Sequence, residues 1–395
     1  MANLTINLSD EAAELKRSVM RDLLGLAVDP TIISLAGGLP ANEHIPIVEF
    51  RDCITTVLDR DGAEGMQYSP QYEPLRRWIT SYMNSRGVPC GIDQVFITNG
   101  AQQGLAILSR LFLDPGGTAV IEEVTYTGIQ QVTHGRGAEV RTIQTDLESG
   151  AEVEALENAF RQDPKPRLAI LIPDFHNPLG VSISAEKRHR FAALAAEYEV
   201  PLIEDDPYSA LRFEGDPIPP IKAYDEAGFI FYLGSFSKML APALRLGWIV
   251  ASPDLIPKIT VIRESGDLET STLIQRAVAE FLERDFLVDH IAKLTAANRE
   301  RFQTLERSLD ARLGDIATWT RPQGGLFSWI TLPDDIDTWK LFPKVLEKKV
   351  AYIPGSAFAV HGGHSNTMRL NFSNPTPDEI EEAIRRLAEV IREKL

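Results

Sequence analysis

Cysteine is scarce: Cys53 and Cys90 are the only two in 395 residues. That argues against a disulfide framework and for a reducing, cytoplasmic setting. Long apolar runs are missing too, and none approaches the roughly 20 residues of a membrane-spanning helix. Residues 1–10 carry neither a basic stretch nor an apolar segment, so no signal peptide and no membrane partner are expected. Positive charge is in deficit, with 40 basic against 56 acidic side chains and a formal net charge of −16. Such a field repels nucleic acid, which is therefore not expected as a partner. No block of five like charges, internal repeat or low-complexity tract appears. What is present, 44% hydrophobic and 24% charged residues, is ordinary for a globular chain. The length calls for one large and one smaller domain.

Short apolar runs at 95–98, 118–121, 168–172, 200–203, 229–233 and 246–250 have the length of buried parallel strands. Helix-period stretches at 102–112 and 185–198 lie between them; in the second, Phe191, Leu194, Ala195 and Tyr198 share a face. This alternation predicts an α/β fold with a mostly parallel sheet. After about residue 290 the pattern changes to a long charged helix over 289–312, strands at 316–320 and 326–331, and a helix ending near 348. A strand at 368–372 and a closing amphipathic helix at 378–394 complete a smaller α+β domain. The expected division is an arm at 1–44 packing with the small domain, a large domain at 45–290 and the small domain at 291–395. Residues 37–40 read as the loop joining an N-terminal helix to the body.

Four strand ends carry polar groups suited to chemistry. The run ending at Leu233 passes into Gly234-Ser235-Phe236-Ser237-Lys238, a loop at the carboxyl edge of the sheet, where open α/β sheets bind ligands. Between Phe236 and Met239, Lys238 can be desolvated and so offer the neutral amine a Schiff base needs; alone it also reads as a surface lysine. Glu204, Asp205 and Asp206 follow another strand and need a cation, be it a pyridinium, a metal or an arginine; a solvated strand end is the bland alternative. Asn177 is held on a stiff Pro178-Leu179-Gly180 turn, and His176 beside it reads as structural. Asn99-Gly100-Ala101-Gln102 opens a helix and can cradle an anion, with Arg245 placed to add charge.

Together these segments resemble the fold type I aminotransferases that use pyridoxal 5′-phosphate (PLP), and within them the branch of 2-aminoadipate and kynurenine aminotransferases. The resemblance runs from about Ser18 to the C-terminal helix, with the motifs in the family's order. It implies a large PLP-binding domain. Lys238 then carries the cofactor as an internal aldimine and shuttles the proton, while Asp205 keeps the pyridine nitrogen protonated. Tyr208 and Asn177 bond the ring's phenolic oxygen, and Tyr126 stacks on the ring. Gly100, Ala101, Gln102, Ser235 and Arg245 hold the phosphate, joined by Tyr68 from the partner subunit. Arg369 clamps the substrate carboxylate, with Asn177 beside it and Gly38 in the loop that closes over it. Arg21 matches a position that recognises an acidic side chain, though it reads equally as a helix-surface arginine. The implied activity is transfer of an amino group from an L-amino acid to a 2-oxo acid, 2-oxoglutarate above all, by ping-pong kinetics in a homodimer with shared sites. Residues 68–76 depart from the family pattern: the usual Thr-Glu-Gly turn is absent and the segment is two residues shorter.

Other readings are narrower. A PLP-dependent lyase or decarboxylase would use the same lysine and aspartate. Ser235-x-x-Lys238 with Tyr82-x-Asn84 spells part of a serine hydrolase, but no Lys-Ser-Gly or Lys-Thr-Gly follows. The same lack of Lys-Ser and Lys-Thr excludes a P-loop, and Val140 breaks the dinucleotide fingerprint begun at Gly135. His361-Gly362-Gly363-His364 reads as a loop, and no metal site is expected. A PLP-binding transcription regulator would need a DNA-binding segment, for which there is no room ahead of Ser18.

Overall fold

The computed structural model describes residues 29–394. Arg21 lies outside these residues. Seven strands form the central sheet: β1 (Val95–Thr98), β2 (Thr118–Glu122), β3 (Glu139–Ile143), β4 (Leu168–Leu171), β5 (Leu202–Asp206), β6 (Ile230–Ser235) and β7 (Gly247–Val250). Their order is β1-β7-β6-β5-β4-β2-β3. The run β6-β5-β4-β2-β3 is parallel, whereas β7 opposes both its neighbours. The run at 246–250 is thus not one of the parallel strands. Residues 236–246 hold only two short helical turns. That is too little for the crossover helix a parallel return requires.

Side chains alternate between two apolar layers, as the pleat dictates. In β4, Leu168 and Ile170 join Leu105 and Leu108 of the helix Ala101–Phe112, while Ala169 and Leu171 join Phe191 and Leu194 of the helix Ala185–Glu197. The sheet is therefore covered by helices on both faces, which explains why its inner strands read as continuous apolar runs.

A second sheet, antiparallel throughout, contains β8 (Thr318–Trp319), β9 (Phe327–Thr331), β10 (Ile353–Pro354) and β11 (Thr367–Asn371) in the order β8-β9-β11-β10. The closing helix Pro377–Arg392 buries Ile380, Ile384 and Leu387 against it and starts with a reciprocal cap between Thr376 and Glu379. The long helix Phe286–Leu313 serves both bodies: Leu287 sits in the core beside Trp248, and Leu305 and Leu309 sit in the core beside Trp329. Ile33–Ser34 pairs in parallel with Val350–Ala351, tying the described part of the arm to this smaller unit.

Candidate active site

Parallel strands bring their carboxyl ends to one edge, and the reversed β7 brings its amino end there too. Gly247 stands opposite both Thr98 and Ser235, so Arg245 just before it reaches the same edge as the ends of β1 and β6. Between this edge and β9 and β11 of the smaller sheet lies a cavity of 310 Å³. Its walls include Gly38, Ala101, Gln102, Tyr126, Asn177, Asp205, Tyr208, Ser235, Lys238, Arg245 and Arg369.

Lys238 stands on a helical turn, Phe236–Met239, rather than on a loop. Strand β6 continues through Gly234 and Ser235, and the Ser235 hydroxyl then caps the turn by accepting from Ser237 N–H at 3.1 Å. Gly234 is required because a Cβ there would lie 2.3 Å from the Trp248 ring. Lys238 Nζ donates to the Gly38 carbonyl at 2.6 Å. Burial, with the charges of Arg369 and Arg245, lowers the amine to about 8.

The three acids lie within β5, not after it, and are all buried. Glu204 accepts the N–H groups of Ile221 and Lys222 at 2.7 and 2.9 Å. Asp206 accepts from Arg86 at 2.9 Å, from the Tyr232 hydroxyl at 2.9 Å and from Ser209 N–H at 3.0 Å. Asp205 alone of the three faces the cavity, and its Oδ1 is buried with no hydrogen-bond partner. Burial, then the charge of Asp206, raises it to about 7. A cation arriving from the cavity would relieve that cost.

Arg369 is 1% exposed and stands 4.2 Å above the Phe327 ring. It donates to Asn177 Oδ1 at 2.8 Å and to the Ala36 carbonyl at 2.6 Å, while its Nε has no partner. Burial lowers it to about 10, so it stays a cation at neutral pH. Asn177 also bonds the Tyr208 side chain, which burial pushes well above the ordinary phenol value. Gly100 caps the helix Ala101–Phe112 at φ 77°, and a Cβ there would sit 2.8 Å from Arg245 Nη2. The helix start is thereby left open to an anion.

A family model described as aminotransferase class I and II matches residues 32–387. The chain belongs to the class I and II aminotransferases. It is 38% identical to aromatic-amino-acid aminotransferase 1 of Thermococcus litoralis, across 98% of this chain and 94% of that one. It is 34% identical to 2-aminoadipate transaminase of Thermus thermophilus, across 96% and 95%. A crystal structure of Pyrococcus horikoshii kynurenine aminotransferase, in complex with pyridoxamine phosphate (PMP), superposes with a TM-score of 0.93 at 36% identity, covering 98% of this chain and 97% of that one. The protein is a PLP-dependent transaminase of fold type I.

The residues of this aminotransferase fit that cofactor. Asp205 offers an unpartnered buried oxygen to a pyridinium, and the start of the helix Ala101–Phe112 with Arg245 offers a place for a phosphate. Lys238 offers an amine of lowered basicity. Tyr68 is not among the cavity residues; it is 76% exposed. His176 is structural, its Nε2 3.0 Å from Glu122 and its Nδ1 accepting from Leu179 N–H. Phe327 was not legible as a site residue. It underlies Arg369, meets Tyr208 edge-on at 5.8 Å, and would come within 3.0 Å of a Cβ at Gly38. The Gly324-Gly325 pair before β9, where a Cβ would strike Phe175, was the available signal.

Proposed function

We propose that this transaminase transfers the amino group of an L-amino acid to 2-oxoglutarate by a ping-pong cycle, as a cytoplasmic homodimer with shared active sites. The observation that carries this reading is the convergence on one cavity of Lys238, the unpartnered Asp205 carboxylate and the buried Arg369 cation. PLP, when bound, supplies the electron sink for the pair left behind at the substrate α-carbon. Lys238 Nζ, with its lowered proton affinity, first anchors the cofactor and then takes up the α-proton as general base. Asp205, as a carboxylate, holds the ring nitrogen in its protonated form. Tyr208 and Asn177 would hold the ring's phenolic oxygen by hydrogen bonds, and Tyr126 would pack on the ring. Gly100, Ala101, Gln102, Ser235 and Arg245 would hold the phosphate, with Tyr68 entering from the partner.

Arg369 grips the substrate carboxylate, its Nη2 trading the backbone carbonyls of Ala36 and Gly37 for a charged partner while Nη1 keeps Asn177. The Gly38 carbonyl would give up its contact with Lys238 when Nζ anchors the cofactor. Leu39, Tyr126 and Phe327 make the rest of the wall largely apolar, which supports donors with aromatic or other large side chains. The names of the Thermococcus and Pyrococcus relatives point the same way. Arg21 would add acidic donors such as 2-aminoadipate; unchanged KM for them in Arg21→Ala would remove that part of the reading. The same reading takes 45–290 as the large domain, 291–395 as the small one, and 1–44 as an arm on the latter.

The test is a half-reaction. Glutamate added to the PLP-loaded protein without any 2-oxo acid should release one equivalent of 2-oxoglutarate per site and bleach the visible band of the lysine-bound cofactor. Lys238→Ala should do neither. Ammonia or carbon dioxide in place of 2-oxoglutarate would instead assign the scaffold to elimination or decarboxylation.

A further inference from the structure

The residues flanking the phosphate cradle are held by a side chain from a distant part of the chain. Asn99 and Gln103 bracket Gly100, Ala101 and Gln102, and the Asn99 N–H donates to Gln103 Oε1 at 2.7 Å. Both side-chain amides then donate to one oxygen, Oδ2 of Asp267, with Gln103 at 2.7 Å. The other oxygen of Asp267 accepts from Arg263 Nε at 2.9 Å. Arg263 is 4% exposed and bonds Thr270 as well at 3.1 Å. On the far side, the Asn99 carbonyl accepts from Arg245 Nη2 at 3.0 Å. Asn99 is thus fixed between Asp267 and Arg245.

We propose that Asp267 is a positioning residue for the cofactor's phosphate: it orients Asn99 and Gln103 so that the backbone between them stays shaped for a phosphate group. The proposal rests on the PLP reading above. A carboxylate near an anion site would by charge alone weaken phosphate binding, so its presence calls for another role. Three donors converge on it, and Arg263 balances its charge. Its acceptors set the direction of both amides, and Gln103 in turn takes up the Asn99 N–H. Without Asp267, the two amide NH2 groups lose their shared acceptor, and the first turn of the helix is free to shift relative to Arg245.

The sign of the effect separates alignment from charge. Removing a negative charge would strengthen phosphate binding if Asp267 acted through its field, and weaken it if Asp267 acts through geometry. Dissociation constants for PLP and for pyridoxal, which lacks the phosphate, are measured by titrating cofactor-free wild-type, Asp267→Ala and Asp267→Asn proteins and following visible absorbance. Asp267→Ala is expected to weaken PLP by about tenfold or more, the loss of roughly one hydrogen bond to a charged group, and to leave pyridoxal unchanged. Asp267→Asn can keep its oxygen on both amides only by turning its own NH2 against the Arg263 Nε–H, and should weaken PLP in the same direction. It keeps the test open if Asp267→Ala does not fold. Tighter PLP binding, unchanged binding, or equal weakening of PLP and pyridoxal would each overturn the proposal. Wild-type protein that fails to bind PLP would instead overturn the proposed function.

Discussion

Burial and the neighbouring Asp206 raise the Asp205 carboxyl from an ordinary 3.8 to about 7. A group whose folded value is raised lends stability that is complete below its unfolded value and is lost as pH rises through the folded one. Above pH 7 the cofactor-free protein therefore holds a buried carboxylate at a cost on the order of 4 kcal/mol. Asp205→Asn should make the cofactor-free protein more stable than wild type at pH 8, with the advantage shrinking toward pH 4, and should abolish transamination. Denaturant melts at the two pH values check the sign, and a less stable variant at pH 8 would contradict it. Arg369 makes a second case. Lysine keeps the charge but loses the paired donors, so Arg369→Lys should lower kcat/KM for the amino acid by roughly 100-fold. Which of three consecutive acids meets the cofactor was not settled by the run 204–206 itself. The structure separates them through partners far away in sequence, Lys222 for Glu204 and Arg86 for Asp206, and no local pattern encodes such contacts.

Elements were easier to read than their directions. A continuous apolar run marks a buried strand but carries no sign of which way it points, so β7 passed for a parallel strand. Its reversal follows from the short connection, and that reversal is what delivers Arg245 to the site. The Gly180 turn was legible as rigid but not as a contact between units. Gly180 has φ 74°, and a Cβ on it would sit 2.4 Å from the Phe327 carbonyl oxygen of β9. Gly180→Ala should cost about 2–4 kcal/mol, combining the left-handed backbone with overpacking. It should also lower kcat/KM, because the turn carries Asn177 to Arg369. Gly137, at φ 62° with open space around it, is the control. Alanine there should cost only the backbone part, about 1 kcal/mol. Equal denaturant midpoints for the two variants would mean that the turn does not bear on β9.

At the scale of the molecule, Tyr68 connects fold to assembly. Its segment is firmly held: Gln71 exchanges two hydrogen bonds with the backbone of Ile97 in β1, Ser69 N–H donates to Glu269, and Tyr72 N–H donates to Gln275. The shortened stretch at 68–76 is thus anchored by side chains to β1 and to the segment around the helix Thr272–Glu283, with Tyr68 left exposed. Exposed Ile47, Val48 and Met66, and an apolar cavity of 380 Å³ lined by Ile47, Phe50 and Leu244, leave ample apolar surface for a second copy. If Tyr68 serves the partner's site, two dead proteins should make a live one. A Lys238→Ala copy still donates Tyr68, and a Tyr68→Ala copy still holds Lys238. Random reassociation makes half the dimers hybrids with one complete site each, so activity should return to about a quarter of wild type. Each parent alone should remain far below that. A mixture no more active than the Tyr68→Ala parent would place Tyr68 outside the chemistry of its partner, and the dimer, if one forms, would then have to be explained without a shared site.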